Sequence, residues 1–397
     1  MAQHLFLAVT AAAYGEAVLG MRLACELRER GHDVRVLAPR GLRPVFEGAG
    51  VKFGAVDDVL ARLDRTLVTL VDEQKPTSLT LIDGAAVFQT FDLKKLDPSV
   101  FTRLATRVLA LDTWNIDESG LVWDHGGGTI RMDPRIVAMP RIVPVPFARP
   151  TAVRGYNALP ALGSIDRREA RAQLGVGEDE RVVFWPTAMW QAPRFQPTPD
   201  TRTMAERVPE LVASYLAALG PDVRVVQVGP EPMRAGATLG ARFRWFPRQT
   251  ASRFHALLAA SDVMLGANLA ATTLPSAIVR EVPSIVAINT RTHVDRVGLG
   301  DRARRWLDRG TTLYPFRVWP AGLSAVLAPV MRDNPLLEAI DVIELLDEDA
   351  MIARMRALLF DDAAAAEARQ RLRAYRTMVT ALPSAATMFE ASLEERA

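Results

Sequence analysis

The chain has little of several features that define common protein classes. Its single cysteine, Cys25, excludes a disulfide framework or a cysteine-based metal site within one chain. No apolar run is long enough to span a bilayer, and the N-terminal residues enter a strand pattern without a basic leader. We therefore expect a soluble, cytoplasmic protein that does not act at a membrane.

Neither sign of charge is in excess. The 397 residues include 48 Lys and Arg against 46 Asp and Glu, a net charge of +2, so no basic surface for nucleic acid is predicted. Aromatic residues make up 7% of the chain and hydrophobic residues 49%, as in ordinary soluble globular proteins. A chain of this length exceeds one ordinary core and predicts two domains.

The first part of the chain alternates between short apolar runs and amphipathic helical segments. The runs "HLFLAV", "VRVLAP", "LTLID" and "RVLALD" are typical of parallel strands buried on both faces of a sheet. Between the first two runs, Val18, Leu19, Leu23 and Leu27 recur at helical spacing, and Gly31 ends the predicted helix. A β-α-β unit of this kind predicts a parallel sheet.

A Pro-dense stretch, "MPRIVPVPFARP", separates this alternation from a second one with strands "RVVFWP", "VRVVQVG", "DVMLGA" and "PSIVAI". The predicted fold is α/β, with two doubly wound, Rossmann-like domains facing across a cleft and a helical C-terminal tail. The predicted limits are 1–150 for an N-terminal domain, 151–178 for a linker, 179–365 for a second domain and 366–397 for a tail that packs back on the first domain.

Ligands of such folds bind at the carboxyl ends of the strands. The loop "TAAAYGEAVLG" after the first strand carries one carboxylate, Glu16. This group is either a catalytic base or a partner of the positive helix N-terminus, and the residues alone favour neither reading. Tyr14 and Asp83 lie in strand-end loops of the same half and are candidate acceptor contacts.

Residues 262–289, "DVMLGANLAATTLPSAIVREVPSIVAIN", predict a strand followed by a helix that begins near Thr272. A helix N-terminus offers free N–H groups and a positive dipole end, which suit a diphosphate. The hydroxyls of Thr272 and Thr273 add hydrogen-bond donors there.

The longer stretch "FRWFPRQTASRFHALLAASDVMLGANLAATTLPSAIVREVPSIVAIN", residues 243–289, resembles the C-terminal half of nucleotide-sugar-dependent glycosyltransferases of the GT-B fold, of the bacterial natural-product type. The resemblance implies a nucleotide site in the second domain formed by Trp245 and Arg248 at the base loop, Asn268 in place of a pyrophosphate-binding His, Thr272, Thr273, and Ser276 in place of an acidic ribose contact. The segments "RGHDVRVLAP" and "VFEGAGVKF" are similar to the opening of the acceptor domain of that family. A catalytic His of the family is replaced here by Glu16, which the resemblance therefore assigns as the base.

Further strand-end residues complete the candidate site. Thr187 is a candidate hydroxyl donor to the diphosphate, Gly229 allows close backbone approach, and Arg194 is a candidate charge partner. The resemblance places His293 and Asp295 where the family has an acidic sugar-binding pair. A second set lies in "LALDTWNIDESGLVWDHGGG", where Asp112, Trp114 and Asp124 either recognise an acceptor or belong to a solvated loop. No metal site is predicted, because adjacent residues such as Asp124 and His125 rarely point together.

The leading hypothesis is an inverting, metal-independent glycosyltransferase of specialised (antibiotic-type) metabolism, with a nucleotide-diphosphate sugar as co-substrate, such as a UDP-sugar, and no cofactor. It would transfer a hexose or aminosugar to a small-molecule acceptor that is either free or tethered to a carrier protein. Two alternatives stay open, a nucleotide-sugar 2-epimerase and a catalytically silent protein that binds a nucleotide or a partner. The sequence leaves the oligomeric state open, a homodimer included.

Overall fold

The computed structural model describes residues 1–116, 121–126, 128–292, 294, 296–310 and 312–394. The chain divides into two compact units. The first unit contains Met1–Val122, Arg131–Ala158 and Val379–Ala397, and the second contains Trp123–Ile130 and Leu159–Met378. Among the described residues, no helix combines the length and the apolar character that crossing a membrane would need.

The first unit is built on a seven-stranded parallel sheet with the order β3-β2-β1-β4-β5-β8-β9. Its strands are β1 (Gln3–Leu7), β2 (Asp33–Ala38), β3 (Lys52–Ala55), β4 (Ser78–Ile82), β5 (Arg107–Leu111), β8 (Arg141–Val145) and β9 (Gly155–Asn157). β4 is buried throughout and β5 is buried except at Arg107, which explains their continuous apolar runs. β8 and β9 lie in and just beyond the Pro-dense stretch, where no strand is predicted from sequence.

Helices connect these strands. They are α1 (Tyr14–Glu29), α2 (Arg43–Glu47), α3 (Leu63–Gln74), α4 (Gly84–Lys94), α5 (Val100–Arg103), α6 (Arg135–Ala138) and α17 (Ala385–Glu394). α1 lies close against the sheet, because a Cβ atom at Gly20 would come within 2.5 Å of the Ile82 side chain. The absence of a side chain at Gly20 therefore sets the distance between α1 and β4.

The C-terminal helix α17 is held in the first unit by a chain of polar contacts that begins at a buried histidine. His4 on β1 is fully buried and lies 2.9 Å from the Ser78 hydroxyl and 3.0 Å from the His32 ring. His32 in turn lies 3.2 Å from the carboxylate of Glu390 on α17. The Phe389 ring of the same helix packs edge-on against His4, with ring centroids 5.1 Å apart.

The second unit is built on a six-stranded parallel sheet with the order β12-β11-β10-β13-β14-β15. Its strands are β10 (Arg181–Pro186), β11 (Val223–Val228), β12 (Phe243–Phe246), β13 (Val263–Gly266), β14 (Ser284–Ile288) and β15 (Asp341–Glu344). A separate two-stranded sheet is formed by β6 (Val122–His125) and β7 (Gly128–Arg131). The predicted α/β class with two parallel sheets is confirmed.

The second unit also contains helices. They are α7 (Arg167–Leu174), α8 (Pro199–Ala217), α9 (Gly236–Leu239), α10 (Ala251–Ala259), α11 (Leu274–Arg280), α12 (Asp301–Asp308), α13 (Ser324–Met331), α14 (Leu336–Ala339), α15 (Glu348–Phe360) and α16 (Asp362–Thr380). α11 begins at Leu274, two residues later than the sequence predicts, and has only 7 residues.

Candidate functional site

Three carboxylates lie after the central strands of the first sheet. Asp83 follows β4, Asp112 follows β5, and Glu16 lies in the first turn of α1 after β1. These three residues form what we call the carboxylate cluster. Since β1, β4 and β5 are neighbours in one parallel sheet, their carboxyl ends meet at one edge. The structure thus brings together three residues that sequence patterns assign to separate loops.

Asp83 is the most strongly perturbed member of the cluster. It is only 8% exposed, and burial together with the charge of Glu16 raises its pKa from the ordinary 3.8 to about 8. Hydrogen bonds from the Ala86 amide and the Trp114 side chain oppose that rise. Asp83 is therefore a neutral acid at pH 7, held at the start of α4.

Asp112 is 4% exposed but differently surrounded. It accepts hydrogen bonds from the backbone N–H groups of Trp114 and Ile116, at 3.0 and 2.9 Å. The Arg141 guanidinium donates to it at 3.0 Å. Burial still raises the pKa of Asp112, and Arg141 lowers it. These contacts hold the loop after β5 in place. They are sufficient to explain the position of Asp112, which therefore has a structural role.

Glu16 is partly buried, and desolvation raises its pKa. A hydrogen bond from its own backbone N–H acts in the opposite direction. This second contact is the helix N-terminal interaction that the sequence suggests as an alternative to catalysis. Both features are present in the structure, because the Glu16 carboxylate interacts with its own backbone N–H in the first turn of α1 and electrostatically with Asp83. Tyr14, also partly buried, begins the same helix.

In the second unit, three predicted nucleotide contacts lie together at the ends of β10, β11 and β12. The Trp245 indole N–H donates to the Gly229 carbonyl at 3.1 Å. A Cβ atom at Gly229 would lie 2.0 Å from the Thr187 hydroxyl, so a larger residue there would displace the Thr187 side chain. The Gln227 amide donates to that hydroxyl at 3.0 Å. Trp245 belongs to strand β12, whereas the sequence places it in a loop.

The predicted diphosphate turn, residues 268–274, uses much of its own hydrogen-bonding capacity. The Asn268 side-chain oxygen accepts from the Ala270 N–H at 2.8 Å, and the Asn268 carbonyl accepts from the Ala271 N–H at 3.3 Å. The Leu269 N–H donates to the Arg317 carbonyl, and the Leu274 N–H donates to the Ala271 carbonyl. Thr272 and Thr273 are partly exposed beside these bonded amides.

The helix that follows the turn adds little. Pro275 stands in its first turn and has no N–H to donate. Ser276 is buried, and its hydroxyl lies 3.4 Å from the ring of His255. Arg248 is exposed in the loop after β12. The positive helix end that the sequence predicts as a phosphate cradle is thus short and largely satisfied by the protein itself.

Two other predicted residues have structural partners in the second unit. The Asp124 carboxylate accepts from the backbone N–H groups of Ser324 and Ala325, at 2.9 and 2.7 Å, and so caps α13. The Arg194 guanidinium lies 3.4 Å from the Glu231 carboxylate and over the Phe195 ring. His293 and Asp295 lie outside the described residues.

A cavity of about 470 Å³ lies at the ends of β10 and β11, entirely within the second unit. Thr187 and Arg194, both predicted, are among its lining residues. Arg202, Glu206 and Arg234 also line it, and sequence reasoning missed all three. Arg202 and Glu206 lie near the start of α8. The sequence pattern that could have indicated them is a predicted helix that follows the loop at the end of a strand.

Residues 23–397 match the model of a family described as "Family of unknown function (DUF6365)". The chain belongs to this family. No curated protein matches the sequence of this DUF6365 protein.

Solved structures share the fold of the DUF6365 chain over its whole length. The spinosyn forosaminyltransferase SpnP is 17% identical, with 99% of this chain and 100% of that chain covered and a TM-score of 0.57. The spinosyn rhamnosyltransferase SpnG, complexed with spinosyn aglycone, is 16% identical, with 98% and 99% covered and a TM-score of 0.57. The glycosyltransferase SsfS6 of Streptomyces sp. SF2575, complexed with thymidine diphosphate, is 14% identical, with 98% and 99% covered and a TM-score of 0.52. The fold is therefore that of GT-B glycosyltransferases from bacterial natural-product metabolism.

Proposed function

We propose that this DUF6365 protein is an inverting glycosyltransferase that moves a sugar from a nucleotide-diphosphate donor to a hydroxyl of a small-molecule acceptor. The first unit would bind the acceptor, which is free or carrier-tethered, and the second unit the nucleotide. Because fold alone does not determine function, the proposal depends on a site. The observation that carries it is the electrostatic pairing of Glu16 with Asp83 at the carboxyl edge of the first sheet.

Glu16 is the proposed base. An ordinary Glu is a weak base at neutral pH, and desolvation raises the pKa of Glu16 toward the range in which proton transfer is efficient. Asp83, with a pKa of about 8, is neutral at pH 7. Its side chain therefore does not repel the negative charge of the Glu16 carboxylate. In this proposal the pair shares one proton, Asp83 holds it, and Glu16 acts as the carboxylate.

The reaction then proceeds in one displacement. The ionised Glu16 takes the proton of the acceptor hydroxyl as the acceptor oxygen forms its bond to the anomeric carbon of the sugar. The bond from that carbon to the diphosphate oxygen breaks, and its electron pair leaves with the nucleoside diphosphate. Attack on the face opposite the leaving group inverts the anomeric centre. We propose no metal and no cofactor for this step.

A second candidate function is a protein that binds a nucleotide or a partner without turnover. The observation that favours it is the 268–274 turn, where amides expected to hold a diphosphate donate to carbonyl and side-chain oxygens of the protein. A donor bound by this turn alone would have few backbone contacts.

A thermal-shift panel of nucleoside diphosphates and nucleotide sugars tests the proposal. A ligand that binds only the folded chain stabilises it by about 2.7 kcal/mol at one hundred times its Kd, which corresponds to a rise in Tm of several °C. We expect one base to give such a rise. If no nucleotide changes the Tm at millimolar concentration, the glycosyltransferase proposal is wrong and the partner-binding function stands.

A further inference from the structure

The cavity in the second unit has the size of a small-molecule site. Its volume of about 470 Å³ falls within the usual range for ligand pockets. It opens at the carboxyl ends of β10 and β11, where ligands of parallel α/β sheets bind. It is separate from the 268–274 turn, none of whose residues line it.

The interior polar groups of this cavity are fixed by the protein. The Gln227 side chain is fully buried, donates to the Thr187 hydroxyl and to the Glu231 carbonyl, and accepts from the Met233 N–H. The Gln191 amide donates to the Trp319 carbonyl at 2.8 Å. Since these groups have their partners, they shape the cavity, and recognition of a ligand falls to the charged side chains.

Three arginines line the cavity, and two of them are paired. Arg194 lies 3.4 Å from Glu231, and Arg234 lies 3.1 Å from Glu206 and 3.8 Å from Glu210, which does not line the cavity. Arg202 is exposed and, within the part of the chain that the structure describes, its guanidinium has no hydrogen bond and no ion pair. The lining side chains thus carry three positive and two negative charges, and the uncompensated charge is that of Arg202.

We propose that this cavity is the binding site of a phosphate-bearing small molecule, with Arg202 as its principal anion contact. A guanidinium presents five N–H donors in a planar fork that matches two phosphate oxygens. Arg194 and Arg234, whose guanidinium groups also contact carboxylates, would supply weaker further contacts. The site would hold phosphate groups that the self-bonded 268–274 turn does not.

The phosphate can belong to a nucleoside diphosphate or to a simpler compound such as pyrophosphate. In the first case the inference rests on the proposed function and locates the donor diphosphate. In the second case it stands without sugar transfer. Both sources share one chemistry, and a binding experiment separates them.

Isothermal titration calorimetry at low salt, with pyrophosphate, uridine diphosphate and thymidine diphosphate as probes, provides the test. We expect Arg202→Ala to raise the Kd of the bound probes by about tenfold or more, since it removes a charge-assisted hydrogen bond to the phosphate. The matched control is Arg305→Ala, which removes an exposed arginine of α12 that does not line the cavity. It should leave every Kd unchanged.

The outcomes are distinguishable. If Arg202→Ala weakens a nucleotide that binds more tightly than pyrophosphate, the ligand is a nucleotide. If it weakens pyrophosphate and the nucleotides bind no better, the cavity proposal stands and a donor nucleotide is not its ligand. If a nucleotide binds equally to the wild type and to Arg202→Ala, the cavity proposal is wrong while the proposed function survives. Absence of binding by all three probes also overturns the cavity proposal.

Discussion

At the scale of single residues, the rule that ligand-binding residues follow the carboxyl ends of parallel strands predicted where the residues lie. It did not predict which side chains and backbone groups they contact. Asp83 and Asp112 were predicted because each follows an apolar strand, and both lie at the carboxyl edge of the first sheet. The cap that Asp124 makes on α13 joins residues about two hundred positions apart, so no local pattern could have revealed it. The same holds for the salt bridge that occupies Asp112, because its partner, Arg141, comes from another strand.

The raised pKa of Asp83 makes the stability of the protein depend on pH. The folded chain holds this proton up to about pH 8, whereas the unfolded chain loses it near 3.8, so the free energy of unfolding falls as the pH rises between these values. Asp83→Asn imitates the neutral acid, and Asn is tolerated at the positive φ of 58° found there. We expect the variant to gain about a few °C in Tm at pH 8 and nothing at pH 4.

Urea or thermal unfolding from pH 4 to 9 measures this effect. The control is Asp72→Asn, which changes an exposed carboxylate on α3 and should follow the wild-type curve. A pH dependence in Asp83→Asn as steep as that of the wild type would show that Asp83 is ionised in the folded protein at neutral pH.

At the scale of elements, the periodic segments were predicted correctly and the special turns were not. β1, β4, β10 and β11 lie where their apolar runs predict, because buried parallel strands have a simple signature. α11 begins later than expected, since Asn268 and the amides after it form a self-bonded turn ahead of the helix. The attachment of α17 through His4 depends on distant residues and has no signature in the local sequence.

That attachment predicts acid sensitivity of the first unit. Burial and the nearby His32 lower the pKa of His4 to about 4, from an ordinary 6.5. Between pH 6.5 and 4, His4 is protonated in the unfolded chain but neutral in the folded chain. The free energy of unfolding therefore falls as the pH drops from 6.5 to 4. NMR titration of the imidazole signals, with His4→Asn for assignment, should show His4 neutral down to about pH 4. Protonation of His4 near pH 6.5 would contradict the buried chain to Glu390.

At the scale of the whole molecule, the two alternations of strands and helices were sufficient to predict two parallel sheets of the GT-B class. These patterns could not indicate which ligand contacts of the resembled GT-B glycosyltransferases this chain retains. The turn that the resemblance assigns to the diphosphate is self-bonded, and the charged cavity lies at other strand ends of the same sheet. A fold is retained by its core, whereas the contacts of a site change with a few surface residues.

The proposed sugar transfer depends on the carboxylate of Glu16. The most direct measurement is the rate at which nucleoside diphosphate is released from the nucleotide sugar that binds, in the presence of a pool of hydroxylated acceptors. It is made for the wild type, for Glu16→Gln and for the control Glu29→Gln, which changes an exposed residue at the end of α1. We predict that Glu16→Gln lowers kcat by about 10²–10⁴ and leaves nucleotide affinity unchanged, as expected for loss of a general base. Glu29→Gln should match the wild type. Turnover by Glu16→Gln at the wild-type rate would contradict the account.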